Sequence, residues 1–271
     1  MHLSIQERPS EREGITVIHA ALDAGMTLMD TANVYCLDEH EIGHNERLIA
    51  RALIERGGAA GDVLVATKGG VARPEGRWEP DGRPARLRAA CDASLGALGV
   101  DRIALYQLHT PDARVPFEES VGALAELRAE GKIDLVGLSN VSAEQIRAAE
   151  RIVPIASVQN RLSPFFREAL SGGVVQYCTD HGIAFLAYSP TGGGRLTRKL
   201  PSHPVAARIA GRLGVSAHAV VLAWVLAQSP AVIVIPSARR VEHAVDSASA
   251  ATLALADADL AAIDEAEFSR S

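Results

Sequence analysis

Four residues of the chain could together move a proton: the carboxylate of Asp30, the phenol of Tyr35, the amine of Lys68 and the imidazole of His109. Asp30 closes the run Met26-Thr27-Leu28-Met29, which reads as a buried strand, and Tyr35 follows five positions later in what must already be a loop. Lys68 ends the run "VLVAT" and His109 ends "IALYQL". Singly, Asp30 reads as a turn cap, Tyr35 as a loop aromatic, Lys68 as a strand end reaching for solvent and His109 as a hydrogen-bonded core histidine. On adjacent strand ends they become an acid, a base, a phenol and an imidazole in one constellation. A phenol with a pKa near 10 is a poor acid at neutral pH, and lowering it about three units takes roughly 4 kcal/mol. One ammonium about 4 Å away supplies roughly that at an effective dielectric near 20. Lys68 is therefore expected to tune Tyr35, and Asp30 to hold Lys68 charged and placed while offsetting part of its field.

The elements that must position these groups repeat along the chain. "SEREGITVIHAALDAG" has a Ser cap, a Glu three residues later and apolar residues at helical spacing, so a helix opens the pattern. The strand "TLMD" follows, then the helix "NERLIARALIERGG", the strand "DVLVATKGG", the helix "RPARLRAACDASLGALG" and the strand "IALYQLHTPD". Helix "FEESVGALAELRAEGK", strand "IDLVGLSNVS", helix "SAEQIRAAERIV" and strand "ASVQNRLSP" continue it. A helix near Ala169 to His181, the strand "IAFLAYSP", two helices from Pro204 to Gln228, the strand "AVIVIPSARR" and two more helical stretches complete it. Short buried strands alternating with amphipathic helices imply parallel pairing with right-handed crossovers. Polar groups fall at the carboxyl ends of nearly every strand: Asp30, Lys68, His109, Ser139 with Asn140, Gln159 with Asn160, and Tyr188. So many contributing strands point to a (β/α)8 TIM-type barrel, whose site lies on that face. An open sheet would gather them at one switch point, and no G-x-G-x-x-G follows the early strands. Seven strands are legible, one short of a barrel.

Composition restricts the remaining classes. At 271 residues, 48% hydrophobic and 22% charged, the chain has the material for a large α/β core. No linker or low-complexity tract divides it, so residues 1–271 read as a single domain. The net charge of −6 offers no global basic field, which argues against nucleic acid or an anionic membrane as main partner. Three cysteines, Cys36, Cys91 and Cys178, have neither even number nor metal spacing, so no metal site is expected and a reducing cytoplasm is. The purest apolar run, "AVVLAWVLA" at Ala219 to Ala227, is too short to span a bilayer.

"MDTANVY", "GHNERLIARAL", "VATKGG", "YQLHTPD", "GLSNVS", "VQNRLSP", "LAYSPTGGG" and "VIPSARR" occur in an order that resembles the aldo-keto reductase superfamily along nearly the whole chain. The resemblance implies a tetrad in which Tyr35 is the general acid, Lys68 lowers its pKa, His109 orients and polarises the carbonyl, and Asp30 pairs with Lys68. It implies NADPH as cofactor and reduction of an aldehyde or ketone by direct hydride transfer. Ser139, Asn140 and Gln159 match residues that hold the nicotinamide carboxamide, and Tyr188 matches the aromatic stacked on its ring. "SPTGGGRL", with Ser189, Thr191 and Gly192, matches the loop over the pyrophosphate, where glycines let N–H groups approach the oxygens. Arg239 and Arg240, with Ser237 just before them, fall where the family grips the adenosine 2′-phosphate, and a guanidinium suits phosphate by its bidentate geometry. The partner implied is a small carbonyl substrate, and the protein a monomer or weak homo-oligomer.

Departures from the family pattern are visible. His243, Asp246 and Ser247 stand where many members place Arg, Glu and Asn around the adenosine, so the NADPH preference rests mainly on the arginine pair. Only fourteen residues separate Pro190 from Val205, which suggests an open cleft, and Cys36 replaces a common glycine in a way that would narrow the rim. Trp78 is a candidate pocket wall. "MHLSIQERPSE" resembles the tail of the family's first strand, so either the natural start lies roughly ten to twenty residues upstream or Met1 to Ile5 is a frayed partial strand. Two rival readings remain: a dehydrogenase running the same chemistry on an alcohol, and a cofactor-sensing binding protein on the same barrel.

Overall fold

The computed structural model describes residues 1–57 and 62–271; Gly58, the last glycine of the helix read over "NERLIARALIERGG", lies outside the described residues. The fold is α/β: among the described residues one sheet has seven strands that follow one another in chain order, and two further strands form a separate hairpin. Two compact units can be distinguished: Met1–Val158 with Ala238–Val241, and Gln159–Ser237 with Glu242–Ser271.

In the first unit, α1 (Glu11–Asp23) starts at the expected capping box: Glu13 N donates to Ser10 Oγ and the Glu13 carboxylate accepts from Ser10 N at 2.9 Å. Its inward face, Ile15, Ile18 and Leu22, packs on Leu48, Ile49 and Ala52 of α2 (His44–Arg56), and Met29 and Val65 of the neighbouring strands join that cluster. Each aliphatic side chain so buried contributes about 1.5 to 3 kcal/mol. Strands β1 (Leu28–Asp30) and β2 (Leu64–Gly69) run parallel with Asp30 opposite Ala66. A small antiparallel hairpin follows at once, β3 (Val71–Ala72) with β4 (Glu79–Pro80). Helix α3 (Pro84–Leu98) leads to β5 (Ile103–Leu108), which pairs parallel to β2 with Lys68 opposite Gln107. Helix α4 (Phe117–Ala129) leads to β6 (Ile133–Ser139), which pairs parallel to β5 with Gln107 opposite Gly137. Helix α5 (Ala143–Glu150) follows, and β7 (Ile155–Arg161) bridges the chain from one unit to the other. Because the strands of this unit are parallel, the carboxyl ends carrying Asp30, Lys68, His109 and Ser139 share one edge.

The partial strand expected over Met1 to Ile5 is not there: Met1–Glu7 is a run of turns. Ser4 explains the difference. Its N–H donates to Met1 O at 3.0 Å, and its fully buried hydroxyl accepts from Asn45 Nδ2 at 2.8 Å and meets His44 Nδ1 at 2.9 Å. The Ser4 N–H is thus spent within a turn, and its side chain is anchored on α2 and not on a neighbouring strand.

In the second unit, β8 (Ala184–Tyr188) pairs parallel with β9 (Val232–Val234). The helix read over Ala169 to His181 is two, α6 (Glu168–Ser171) and α7 (Val174–His181), because Gly173 between them sits at φ 71. The loop "SPTGGGRL" holds a short helix, α8 (Gly194–Thr197). After α9 (Pro204–Leu213) comes α10 (Ala217–Leu226), buried all round from Ala219 to Val225, which is why its sequence is a continuous apolar run. Helices α11 (Val241–Ser249) and α12 (Asp257–Glu265) complete the chain. Among the described residues no single helix is long and apolar enough to cross a membrane.

Candidate active site

Lys68 is the centre of the site. It is fully buried, and each of its three ammonium hydrogens has an acceptor: Asp30 Oδ2 at 2.6 Å, Thr31 O at 2.8 Å and Tyr35 Oη at 3.2 Å. Burial acts downward on its pKa, but the charge of Asp30 and then Tyr35 outweigh burial, and the net displacement is upward. The amine is therefore held as an ammonium, as a buried cation requires of its partners. Asp30, with a side chain 10% exposed, accepts at its other oxygen from Gln107 Nε2 at 3.3 Å. Sequence reading missed Gln107. The available signal was a polar side chain two residues before His109 on the same strand, the period that puts both on one face.

Tyr35 is fixed by the loop after β1. Ala32 and Val34 are buried completely, Asn33 N donates to Lys68 O at 3.4 Å, and Tyr35 N donates to Ala32 O at 3.1 Å. The phenol oxygen accepts from Lys68, so the phenol's own hydrogen is directed away from the ammonium, which offers no acceptor. Around Tyr35 stand two other rings in edge-to-face contact: His109 with centroids 5.7 Å apart and Trp78 at 6.1 Å, while Trp78 and His109 are 6.2 Å apart. Trp78 is held by the hairpin and by the guanidinium of Arg73, 4.1 Å above its ring. Arg73 is buried and donates to the carbonyls of Cys36 and Leu37, which ties the loop of the phenol to the hairpin of the indole. Arg73 was not foreseen, because nothing in its spacing marks a stacking partner. Cys36 is fully buried and does not form part of the rim as expected; burial pushes its thiol up to about 11, with Arg73 opposing.

His109 follows β5. Its N–H donates to Gly69 O at 2.8 Å and its carbonyl accepts from Asn140 Nδ2 at 3.0 Å, so backbone bonds on both sides fix the ring. Burial, with the Lys68 charge behind it, lowers the imidazole pKa to about 3. The ring is thus neutral above that pH. Nδ1 is buried without a hydrogen-bond partner, and a donor orphaned there would cost more than a lone pair, so the proton belongs on Nε2. Asn140 adopts φ 60, a left-handed conformation that asparagine tolerates, and also donates to Ser139 Oγ at 3.1 Å. The structure therefore brings Asp30, Tyr35, Lys68, His109, Ser139 and Asn140 to one edge of the first unit.

Arg239 and Arg240 also belong to this unit. Arg239 is engaged by Glu7 at 3.0 Å and by Gln6 O at 3.2 Å, and its buried Nε has no partner; Arg240 is exposed. In the second unit, Gln159 is buried at the end of β7 and Tyr188 ends β8 with the Arg161 guanidinium 5.4 Å from its ring centroid. Ser189 follows at φ 49 and accepts from Gly192 N at 2.8 Å. Three successive glycines, Gly192, Gly193 and Gly194, have φ of 93, 71 and 47, and nothing lies within 4 Å of a β-carbon placed on Gly194. The loop thus leaves backbone open at Gly194, while Gly192 is packed against Phe165 and Leu196; the Thr191 hydroxyl accepts from Thr197 at 3.0 Å. Ser237 is exposed past β9. A surface cavity of about 450 Å³ near Phe165, His203 and Glu267 of this unit includes none of these residues.

The chain matches the Aldo/keto reductase family over residues 1–267. It is 32% identical to an aldo-keto reductase of Strobilurus tenacellus, covering 94% of this chain and 81% of that protein. An uncharacterised oxidoreductase of Schizosaccharomyces pombe is also 32% identical, over 96% of this chain and 81% of its own length. Among solved structures, a glycerol dehydrogenase from Gluconobacter oxydans superposes with a TM-score of 0.83 at 32% identity, covering 95% of this chain and 86% of that one. An aldo-keto reductase from Klebsiella pneumoniae, solved in complex with NADPH, superposes with a TM-score of 0.78 at 27% identity over 94% and 84% of the two chains. A match of this extent, together with the ammonium seated between carboxylate and phenol, means that the chain belongs to the aldo/keto reductase family of oxidoreductases.

Proposed function

We propose that the chain is an NADPH-dependent carbonyl reductase that converts a small aldehyde or ketone to the alcohol, with Tyr35 as general acid. The observation that carries this reading is the Lys68 ammonium 3.2 Å from the phenol oxygen and 2.6 Å from the Asp30 carboxylate. When bound, NADPH supplies the hydride that reaches the carbonyl carbon. As negative charge develops on the carbonyl oxygen, Tyr35 transfers its proton there, and the electron pair of the O–H bond stays on the phenolate beside the ammonium. Neutral His109 donates from Nε2 to the same oxygen and orients it. Trp78, edge-on to both rings, walls the substrate.

The residues fit the cofactor. Arg239 keeps a buried, unpartnered Nε, and of the three glycines after Thr191 the last, Gly194, leaves the open backbone that a phosphate oxygen requires. In the first unit Ser139 and Asn140 would hold the carboxamide and Arg239 and Arg240 the 2′-phosphate. In the second, the resemblance assigns Gln159 and Tyr188 to the nicotinamide, Ser189, Thr191 and Gly192 to the pyrophosphate, and Ser237 to the adenosine. The NADPH complex of the Klebsiella relative supports the choice of cofactor. We take residues 1–271 as one domain of the aldo/keto reductase type, working as a monomer or weak homo-oligomer; the three buried free cysteines suit the cytoplasm. The glycerol dehydrogenase among its relatives supports a second reading, the same proton and hydride path run from alcohol to carbonyl.

The test is a panel of aldehydes and ketones followed by loss of NADPH absorbance, for the unaltered chain and for Tyr35→Phe. Turnover should fall at least tenfold in the variant while NADPH affinity stays nearly unchanged. Turnover above a tenth of the original, where chemistry limits the rate, removes Tyr35 as the acid.

A further inference from the structure

The Arg239 guanidinium already carries an anion supplied by the chain itself. Its Nη1 donates to Glu7 Oε2 at 3.0 Å and its Nη2 to the Gln6 carbonyl at 3.2 Å, across 232 residues of sequence. Glu7 sits at φ 57, a left-handed conformation that a residue with a β-carbon adopts only against its preference. The carboxylate is 78% exposed and the arginine side chain 37% exposed, so the pair is open to exchange with an ion from solvent. The third nitrogen, Nε, is buried and unpartnered. A guanidinium with both terminal nitrogens engaged, and held by a strained, solvated acid, is set up to trade that acid for a stronger anion.

We infer that Glu7 is an internal competitor for the 2′-phosphate of the cofactor, so that the turn Gln6–Glu7 reduces the preference of this chain for NADPH over NADH. The inference rests on Arg239 receiving that phosphate. A dianion with several acceptor oxygens outbids one exposed carboxylate, and displacement releases the left-handed backbone of Glu7. What the phosphate must first break is a surface ion pair of the kind that amounts to a factor of about two to five in binding.

The experiment is calorimetric titration of 2′,5′-ADP and of 5′-AMP into the unaltered chain, Glu7→Gln, Arg239→Ala and the double variant. Glu7→Gln should bind 2′,5′-ADP about two- to five-fold more tightly and 5′-AMP unchanged, and in the Arg239→Ala background the same substitution should have no effect. An equal shift for both nucleotides, no shift for 2′,5′-ADP, or an effect that survives Arg239→Ala overturns the competition. An unaltered chain that binds 2′,5′-ADP no more tightly than 5′-AMP overturns instead the assignment of Arg239 to the 2′-phosphate, and the inference with it.

Discussion

Replacing Lys68 by Met removes three donors at once and leaves Asp30 and Tyr35 facing each other without a cation. At an effective dielectric near 20, unit charges 3.2 Å apart attract by about 5 kcal/mol, which is the ammonium's stabilisation of the developing phenolate. Asp30 Oδ2 lies 2.6 Å from the ammonium, hence no more than about 6 Å from the phenol oxygen, and repels a phenolate by at least about 3 kcal/mol. The pair together therefore favours the phenolate by only about 2 kcal/mol. Lys68→Met alone should slow the chemical step by up to about three to four powers of ten, because the repulsion survives it. Lys68→Met with Asp30→Asn removes both charges, so the loss should shrink to at most about one and a half powers of ten. The double variant should thus be faster than the single one by about a hundredfold. Stability should follow the same logic, since an uncompensated buried carboxylate costs about 3 to 5 kcal/mol and Asn carries no such charge. Single-turnover reduction and thermal melting of both variants, at one pH and with saturating cofactor, read the two quantities. A double variant no faster and no more stable than Lys68→Met would refute the electrostatic account of the site.

Two further outcomes are expected. Because burial lowers His109 to about 3 in the folded chain against an ordinary value near 6.5, the unfolded chain binds the extra proton between those pH values and stability rises with pH through that window. Acidification from pH 7 to 5 should therefore cost about 1 to 2 kcal/mol that His109→Gln no longer shows, discounted because the ring is partly open to solvent; identical denaturation curves against pH in the two proteins would contradict the shift. Gly137→Ala should destabilise the chain by about 1 to 3 kcal/mol and lower turnover, because its β-carbon would meet Ser157 Oγ and lie 2.7 Å from Gln107 Cγ, the side chain bonded to Asp30; a melting temperature unchanged within error would show that Gln107 gives way freely.

The grouping of Asp30, Lys68 and His109 was legible because each ends an apolar run, and in parallel strands such ends share one edge; Tyr35, in the loop after β1, was placed with them by the resemblance. Taken singly each of them also fitted a structural part. The hairpin of β3 and β4 was not legible, since two-residue strands have no period to detect. Gln107 was hidden in the middle of "YQL", where a glutamine resembles any half-buried strand residue until Asp30 is seen 3.3 Å away. Arg73 and Glu7 were beyond reach for another reason: a stack on Trp78 and a bond spanning 232 residues are products of tertiary structure, not of spacing. A frayed partial strand over Met1 to Ile5 was one of two readings that the resemblance offered for that segment, and it did not foresee Ser4 taking partners on Asn45 and His44.

The hairpin that carries Trp78 is closed at its own base. Asp81 N donates to Gly70 O at 2.9 Å, and the next residue is anchored independently, Gly82 N to Asp112 Oδ2 at 3.2 Å and Gly82 O from Ser120 Oγ at 2.7 Å. Tyr35, Lys68 and His109 all lie outside that closure. For an engineer the segment between Gly70 and Asp81 is consequently a cassette with two fixed points: Val71, packed against Ala32, Val34 and Tyr35, and Arg73, bonded to the carbonyls of Cys36 and Leu37. Libraries confined to Pro74–Pro80 would vary the wall that the proposed substrate meets while those two residues and the fastened ends hold the phenol's loop.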